Sequence, residues 1–132
     1  MSQAPTPAEV VQRVYAAFGS GDVKALVALA SPTSTWTLHG PRAHPWAGTY
    51  RGTEGLGQFL AAIATAVEIS TFEVGETVAA GATVVVFGRE AGRWRASGKP
   101  YGTTWVHRFR VEGGRVATFD EWLDTASVLA SR

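Results

Sequence analysis

Apolar residues recur along the chain with two different periods, and the change from one to the other falls near Glu68. Before it the spacing is helical. Val10, Val11, Val14, Tyr15 and Phe18 form one stripe, the pattern of an amphipathic helix. Thr6-Pro7-Ala8-Glu9 ahead of that stripe supplies an N-cap hydroxyl, a proline at the first helical position and a carboxylate three residues after the cap. Gly19 and Gly21 offer the left-handed conformation that ends a helix. Asp22 caps a second, short helix with Leu26, Val27 and Leu29, stopped at Ser31-Pro32. Thr53-Glu54 opens a third, with Leu56, Phe59, Leu60, Ile63 and Val67 in helical register. Each of the three needs a partner surface for its apolar face.

From Glu68 onward Val, Ile, Thr and aromatic residues dominate, broken at Ala80-Gly81, at Ser97-Gly98-Lys99-Pro100 and at Glu112-Gly113-Gly114. This predicts four long strands, near residues 68–79, 82–96, 101–111 and 115–123, joined by hairpins. A shorter strand, Thr35 to His39, lies between the second and third helices, and Asp124 caps a terminal helical turn through Leu129. The predicted order is ααβαββββ and a tail. Hairpins make neighbouring strands antiparallel, and three amphipathic helices cover one face of such a sheet. The other face meets water or another subunit.

Alternation along the third of the long strands sorts its side chains. Thr103, Trp105, His107, Phe109 and Val111 share one face, and Thr104, Val106, Arg108, Arg110 and Glu112 share the other. His107 therefore faces the helices. Regular pairing back across the Ser97-Gly98 turn sets Arg89 near His107, with Phe87 and Val85 on the same face. Pairing forward across Gly113-Gly114 adds Phe119 and Glu121. Three ionisable residues from adjacent strands then converge on an otherwise apolar surface, which is the expectation for a site.

At 132 residues and 14.0 kDa the chain has room for one domain, spanning 1–132. Hydrophobic residues at 45% and charged residues at 17% argue against disorder and against a membrane span. Twelve Lys and Arg against eleven Asp and Glu provide no field to recruit nucleic acid or anionic lipid. The absence of cysteine removes disulfides, thiol nucleophiles and thiolate metal sites. Met1 to Val11 lacks the cationic start and apolar core of a secretory signal, so the cytoplasm is the expected compartment. His39 and His44, five residues apart in a proline-containing loop, lack the helical spacing of a metal pair. Gly52, Gly55 and Gly57 follow no strand and lack a P-loop lysine. No metal and no cofactor are expected.

The segments Val11-Gln12-Arg13 through Ala17, Ser20-Gly21-Asp22, Trp46 to Gly52, Tyr101 to His107 and Phe119 to Ala126 together resemble the nuclear transport factor 2-like superfamily, in its SnoaL-like and ketosteroid isomerase-related branch. The resemblance covers nearly the whole chain. It implies an α+β cone of the cystatin-like kind: a curved mixed or antiparallel sheet wrapped by three N-terminal helices, enclosing a deep apolar pocket, commonly as a homodimer. It also implies a range of activities, from isomerases, dehydratases, cyclases and epoxide hydrolases to non-catalytic binders. The ketosteroid isomerase machinery itself does not carry over: its oxyanion tyrosine falls at Val14, its general base at Leu38 and its protonated aspartate at His107. Tyr15 is one position off, about 100 degrees around a helix. Limonene epoxide hydrolase is similar at Glu121, while its arginine and second aspartate fall near Gly88 and Glu90. The SnoaL group's polyketide cyclases imply an acid/base residue, a role open to His107 or Glu121.

The expected catalytic residues are thus His107 and Glu121, which move protons, and Arg89, which pairs with Glu121 or clamps an anionic group. Tyr15, Phe18, Trp36, Leu38, Trp46, Phe59, Phe87, Trp105 and Phe119 are expected to bind a small hydrophobic, ring-containing molecule. The loop from His39 to Trp46 reads as a rim to the pocket or as an ordinary connector. Acid/base catalysis without a cofactor is the favoured function; ligand binding without chemistry competes with it, and a pocket filled by its own side chains, with interaction at the sheet face as the function, is the third reading. Neither nucleic acid nor membrane is expected as a partner.

Overall fold

The first helix forms where its caps place it. In the computed structural model, which describes residues 4–132, α1 (Pro7–Gly19) opens on a reciprocal capping box. The Thr6 hydroxyl accepts from the Glu9 N–H at 3.2 Å and the Glu9 carboxylate accepts from the Thr6 N–H at 3.1 Å. Residues 1–3, where the segment read for a targeting signal begins, lie outside the described residues. Asp22 caps α2 (Val23–Ala28) by accepting from the Ala25 N–H. The chain continues through β1 (Ala30–Leu38), β2 (Gly48–Arg51), α3 (Gly52–Ala66), β3 (Val67–Ala80), β4 (Thr83–Trp94), β5 (Pro100–Glu112), β6 (Arg115–Leu123) and α4 (Thr125–Ala130).

Six strands make one mixed sheet in the order β2-β1-β6-β5-β4-β3. Neighbours are antiparallel except β1 and β6, which run parallel. The sheet is curved and does not close. Register shifts between Ile69 and Thr71 and between Val74 and Thr77 on β3, and at Ala117 of β6 opposite Arg110 and Val111, supply bends of the kind bulges introduce. Val10, Val11, Val14 and Ala17 of α1 and Leu56 and Phe59 of α3 are buried over the concave face, against Val84, Val86, Phe109 and Val116 of the sheet. The result is the expected α+β cone.

Two elements differ from the sequence expectation. β1 begins at Ala30 rather than Thr35, and β2 was not anticipated. β2 has only four residues and no buried position. It exists by pairing with Thr35 to Leu38 of β1, a tertiary cause that local propensity does not carry.

The β4–β5 register decides what lies inside. The Trp94 N–H donates to the Lys99 carbonyl at 2.9 Å and the Gly98 N–H to the Trp94 carbonyl at 2.8 Å, so Arg95 to Gly98 form the connection, with Gly98 at φ 74°. Arg93 then faces Pro100, Arg89 faces Thr104, and Val86 faces His107. Even-numbered residues of β4 point inward. Arg89 and Phe87 were expected inside beside His107, and this register overturns both assignments. The Arg89 side chain is 64% exposed, and Phe87 is among the exposed large hydrophobics. Val85, expected on the same inner face, is likewise on the outer one, between the fully buried Val84 and Val86.

Candidate active site

His107 enters the site because β5 keeps strict alternation: Tyr101, Trp105, His107, Phe109 and Val111 are buried and the residues between them are not. Glu121 lies directly opposite on β6, and its carboxylate Oε2 meets His107 Nε2 at 2.6 Å. Both side chains are more than nine-tenths buried. On the other side of the ring, His107 Nδ1 lies 2.8 Å from the Tyr15 hydroxyl of α1. An ionised carboxylate only accepts, so in the neutral imidazole Nε2 carries the proton and Nδ1 accepts from Tyr15. Tyr15, His107 and Glu121 therefore form one hydrogen-bonded chain from helix to sheet. Trp105 stacks on the imidazole, with centroids 3.8 Å apart and planes 8° from parallel. Gly88 makes room for that indole, since a Cβ there would run into the Trp105 ring and the Glu73 carbonyl.

This chain borders a cavity of about 60 Å³ between α1, α3 and the sheet. Tyr15, Phe18, Trp36, Trp46, Phe59 and Phe119 line it as expected of ligand-facing residues, together with Phe72, Ile63 and Ile69, which sequence reasoning missed. Leu38 and Trp105 are buried behind the wall and do not line it, while Phe87 is on the opposite face of the sheet. A second concavity of about 280 Å³ shares Phe18, Leu26, Leu60, Ile63 and Ile69 with the first and extends to Glu68 and Arg95.

Arg89 takes no part. Its guanidinium holds both carboxylate oxygens of Glu73 at 2.8 and 2.9 Å on the outer face, which keeps the Glu73 carboxyl below its usual range. The inward position on β4 belongs to Glu90, 7% exposed and part of the cavity wall. The Tyr101 hydroxyl donates to Glu90 Oε2 at 2.7 Å. Burial, and next the charge of Glu121, push the Glu90 pKa up to about 7 against the lowering effect of that hydrogen bond. Burial also drives the Tyr15 hydroxyl well above its ordinary range, with Glu121 adding to the effect. A signal for Glu90 was present in the sequence: Arg93 and Arg95 flank Trp94, and continuing that alternation back along β4 places Glu90 inside and Arg89 outside.

The loop before β2 is anchored at its end and exposed from His39 to Ala43: His44 and Trp46 are buried, the imidazole edge-on to the indole at 4.3 Å. Among the described residues, neither His44 ring nitrogen has a hydrogen-bond partner. His39 instead lies on the outer face, bonded to Asp120 at 2.8 Å and stacked on Trp122. Among the described residues, no group of three or more His, Cys, Asp or Glu side chains is placed to hold a metal ion.

The cone is the fold of a known class of protein. The SnoaL-like domain matches residues 11–119. The chain belongs to that family. Among solved structures, an NTF2-like protein of Burkholderia xenovorans is 31% identical, with 98% of each chain covered and a TM-score of 0.86. Another, from Burkholderia thailandensis, is 29% identical over 96% of this chain and 97% of its own, with a TM-score of 0.87. IdmH of Streptomyces antibioticus, a candidate polyketide cyclase, is 27% identical over 96% of this chain and 98% of its own, at 0.74. Among curated proteins nothing matches the chain.

Proposed function

We propose that this protein is a cofactor-independent acid/base enzyme acting on a small, hydrophobic, ring-containing molecule held in the apolar cavity. The observation that carries the reading is the Tyr15–His107–Glu121 chain on the cavity wall. Both imidazole nitrogens are engaged, so His107 meets the ligand through Tyr15. A ligand proton passes to the Tyr15 oxygen as the hydroxyl proton passes to His107 Nδ1, and the Glu121 carboxylate stabilises the resulting imidazolium. The raised pKa of Tyr15 disfavours a free tyrosinate, so the two transfers are concerted. Running the relay in reverse returns the proton to a different ligand atom. Isomerisation, dehydration, cyclisation and epoxide opening all use such a transfer, and the candidate cyclase among the structural neighbours supports this group of reactions. The working unit in this proposal is a cytoplasmic homodimer joined through the outer sheet face, where Phe87, Val106 and Trp122 stand in one row across three strands.

A binding or accessory protein is the second reading, favoured by the same full engagement of His107 within the protein. Native mass spectrometry of the purified protein identifies a co-purifying molecule, and NMR in deuterium oxide then follows exchange of that molecule's protons. Catalysis predicts exchange that falls by about 100-fold or more in His107→Ala and is also lost in Tyr15→Phe while binding persists. Binding that survives His107→Ala, with no exchange in the parent protein, establishes the carrier instead.

A further inference from the structure

One ionisable group on the cavity wall has no opposite charge beside it. Glu121 is partnered by His107, but the hydrogen-bond partner of Glu90 is the neutral hydroxyl of Tyr101. Arg89, adjacent in the chain, is turned to the outer face and held by Glu73. Among the described residues, no lysine or arginine lines the cavity. The other titratable groups around Glu90 are Glu121 from β6, His107 and Tyr101 from β5 and Tyr15 from α1. His44, in the loop before β2, is edge-on to Trp46 and feels the charges of Glu121 and Arg132. The portions of α2, α3, β1 and β3 that line the cavity contribute no ionisable side chain.

What surrounds these groups is aromatic. Tyr15, Phe18, Phe72 and Phe119 border the same space as Glu90, and the faces of such rings carry partial negative charge that attracts cations. A carboxylate without a protein counter-charge, in a cavity lined by aromatic rings, complements a positive ligand group and opposes a negative one. Burying it that way is unfavourable for the empty protein, which is the arrangement expected where a ligand supplies the missing charge.

We propose that the pocket selects molecules bearing a basic nitrogen, bound in the ammonium form against Glu90 with their apolar part among the aromatic rings. Glu90 is then a specificity-determining residue. This rests on the cavity being the ligand site, as in the proposed function, and not on turnover. Because Glu90 holds its proton up to about pH 7, a cation that requires the carboxylate displaces that proton. Affinity for it therefore rises with pH until Glu90 is ionised and levels off above.

Calorimetric titration of the full chain with benzylammonium and with benzyl alcohol, its uncharged counterpart, from about pH 5.5 to about pH 8 tests this. Benzylammonium affinity is expected to climb by up to about tenfold per pH unit below 7 and then to flatten, while benzyl alcohol affinity stays level. Glu90→Gln keeps an acceptor for Tyr101. It is expected to weaken benzylammonium binding at the upper pH by about tenfold or more and to abolish its pH dependence. Benzyl alcohol binding, unchanged in the variant, shows that the cavity keeps its shape. Benzylammonium binding that is indifferent to Glu90→Gln, or a pH profile that survives it and so belongs to another group, overturns the proposal. Binding of the alcohol without the ammonium also overturns it and leaves the apolar ligand site standing. Binding of neither probe overturns both.

Discussion

Replacing Glu90 by Gln leaves the shape of the side chain and an acceptor for the Tyr101 hydroxyl but removes the ability to ionise. The Glu90 carboxyl is displaced from 4.5 to about 7 by burial and by Glu121. At about 1.4 kcal/mol per pH unit, this corresponds to about 3 kcal/mol. The folded protein keeps a proton that the unfolded chain releases at lower pH. The group's contribution to stability is therefore fully present below 4.5 and is lost as pH rises through about 7. In urea unfolding followed by tryptophan fluorescence, Glu90→Gln and the parent are expected to agree within about 1 kcal/mol at pH 5. At pH 8 the variant is expected to be more stable by about 2–3 kcal/mol. An equal difference at both pH values refutes the reasoning, because it means that Glu90 does not change its protonation across the interval. A less stable variant at pH 8 refutes it as well, since the carboxylate would then be better accommodated than the amide.

Three further substitutions test the packing and the register. Gly88→Ala drives a methyl into the Trp105 indole and the Glu73 carbonyl, and is expected to cost about 2–3 kcal/mol while shifting the near-UV circular dichroism of the stacked Trp105–His107 pair. His44 is buried with both nitrogens unpartnered, and burial holds its pKa below 6.5. The unfolded chain therefore takes up a proton first, and stability falls as pH drops below 6.5. His44→Leu is expected to raise stability by about 1–3 kcal/mol and to flatten this part of the acid limb, read by thermal melts from about pH 7 to about pH 5. Arg89→Ala removes an exposed ion pair on the outer face, so ligand affinity and its pH dependence are expected to stay as they were; a large loss of affinity in titration calorimetry would return Arg89 to the site.

Much of the cone is legible from local pattern. The Thr6–Glu9 box and Asp22 act within a few residues, and their hydrogen bonds form where the sequence places them. The parity of β5 is equally local: Trp105, His107, Phe109 and Val111 alternate with Val106, Arg108, Arg110 and Glu112, and only one of those sets can be buried without stranding two guanidinium groups. β4 has no such contrast in its middle. Val84-Val85-Val86-Phe87 is apolar throughout, so either face of it satisfies burial and the alternation is silent there. The informative residues were Arg93 and Arg95 on either side of Trp94, nearer the turn. The candidate site divides along the same line. His107 was readable because β5 alternates strongly, whereas Glu121 comes opposite it only through the extra residue Ala117 on β6, and Glu90 and Arg89 exchanged places.

The sequence alone therefore determined where the helices and the four long strands form and which face of β5 turns inward, because caps and alternation act between residues a few positions apart. Tertiary structure alone decided that β2 exists, since Gly48 to Arg51 becomes a strand only against β1. It also decided that Glu90 rather than Arg89 meets the cavity, and that Tyr15 closes on His107 across 92 positions of chain. Each of these depends on how distant segments are brought into register. A shift of one residue in that register reverses every side chain of a strand at once.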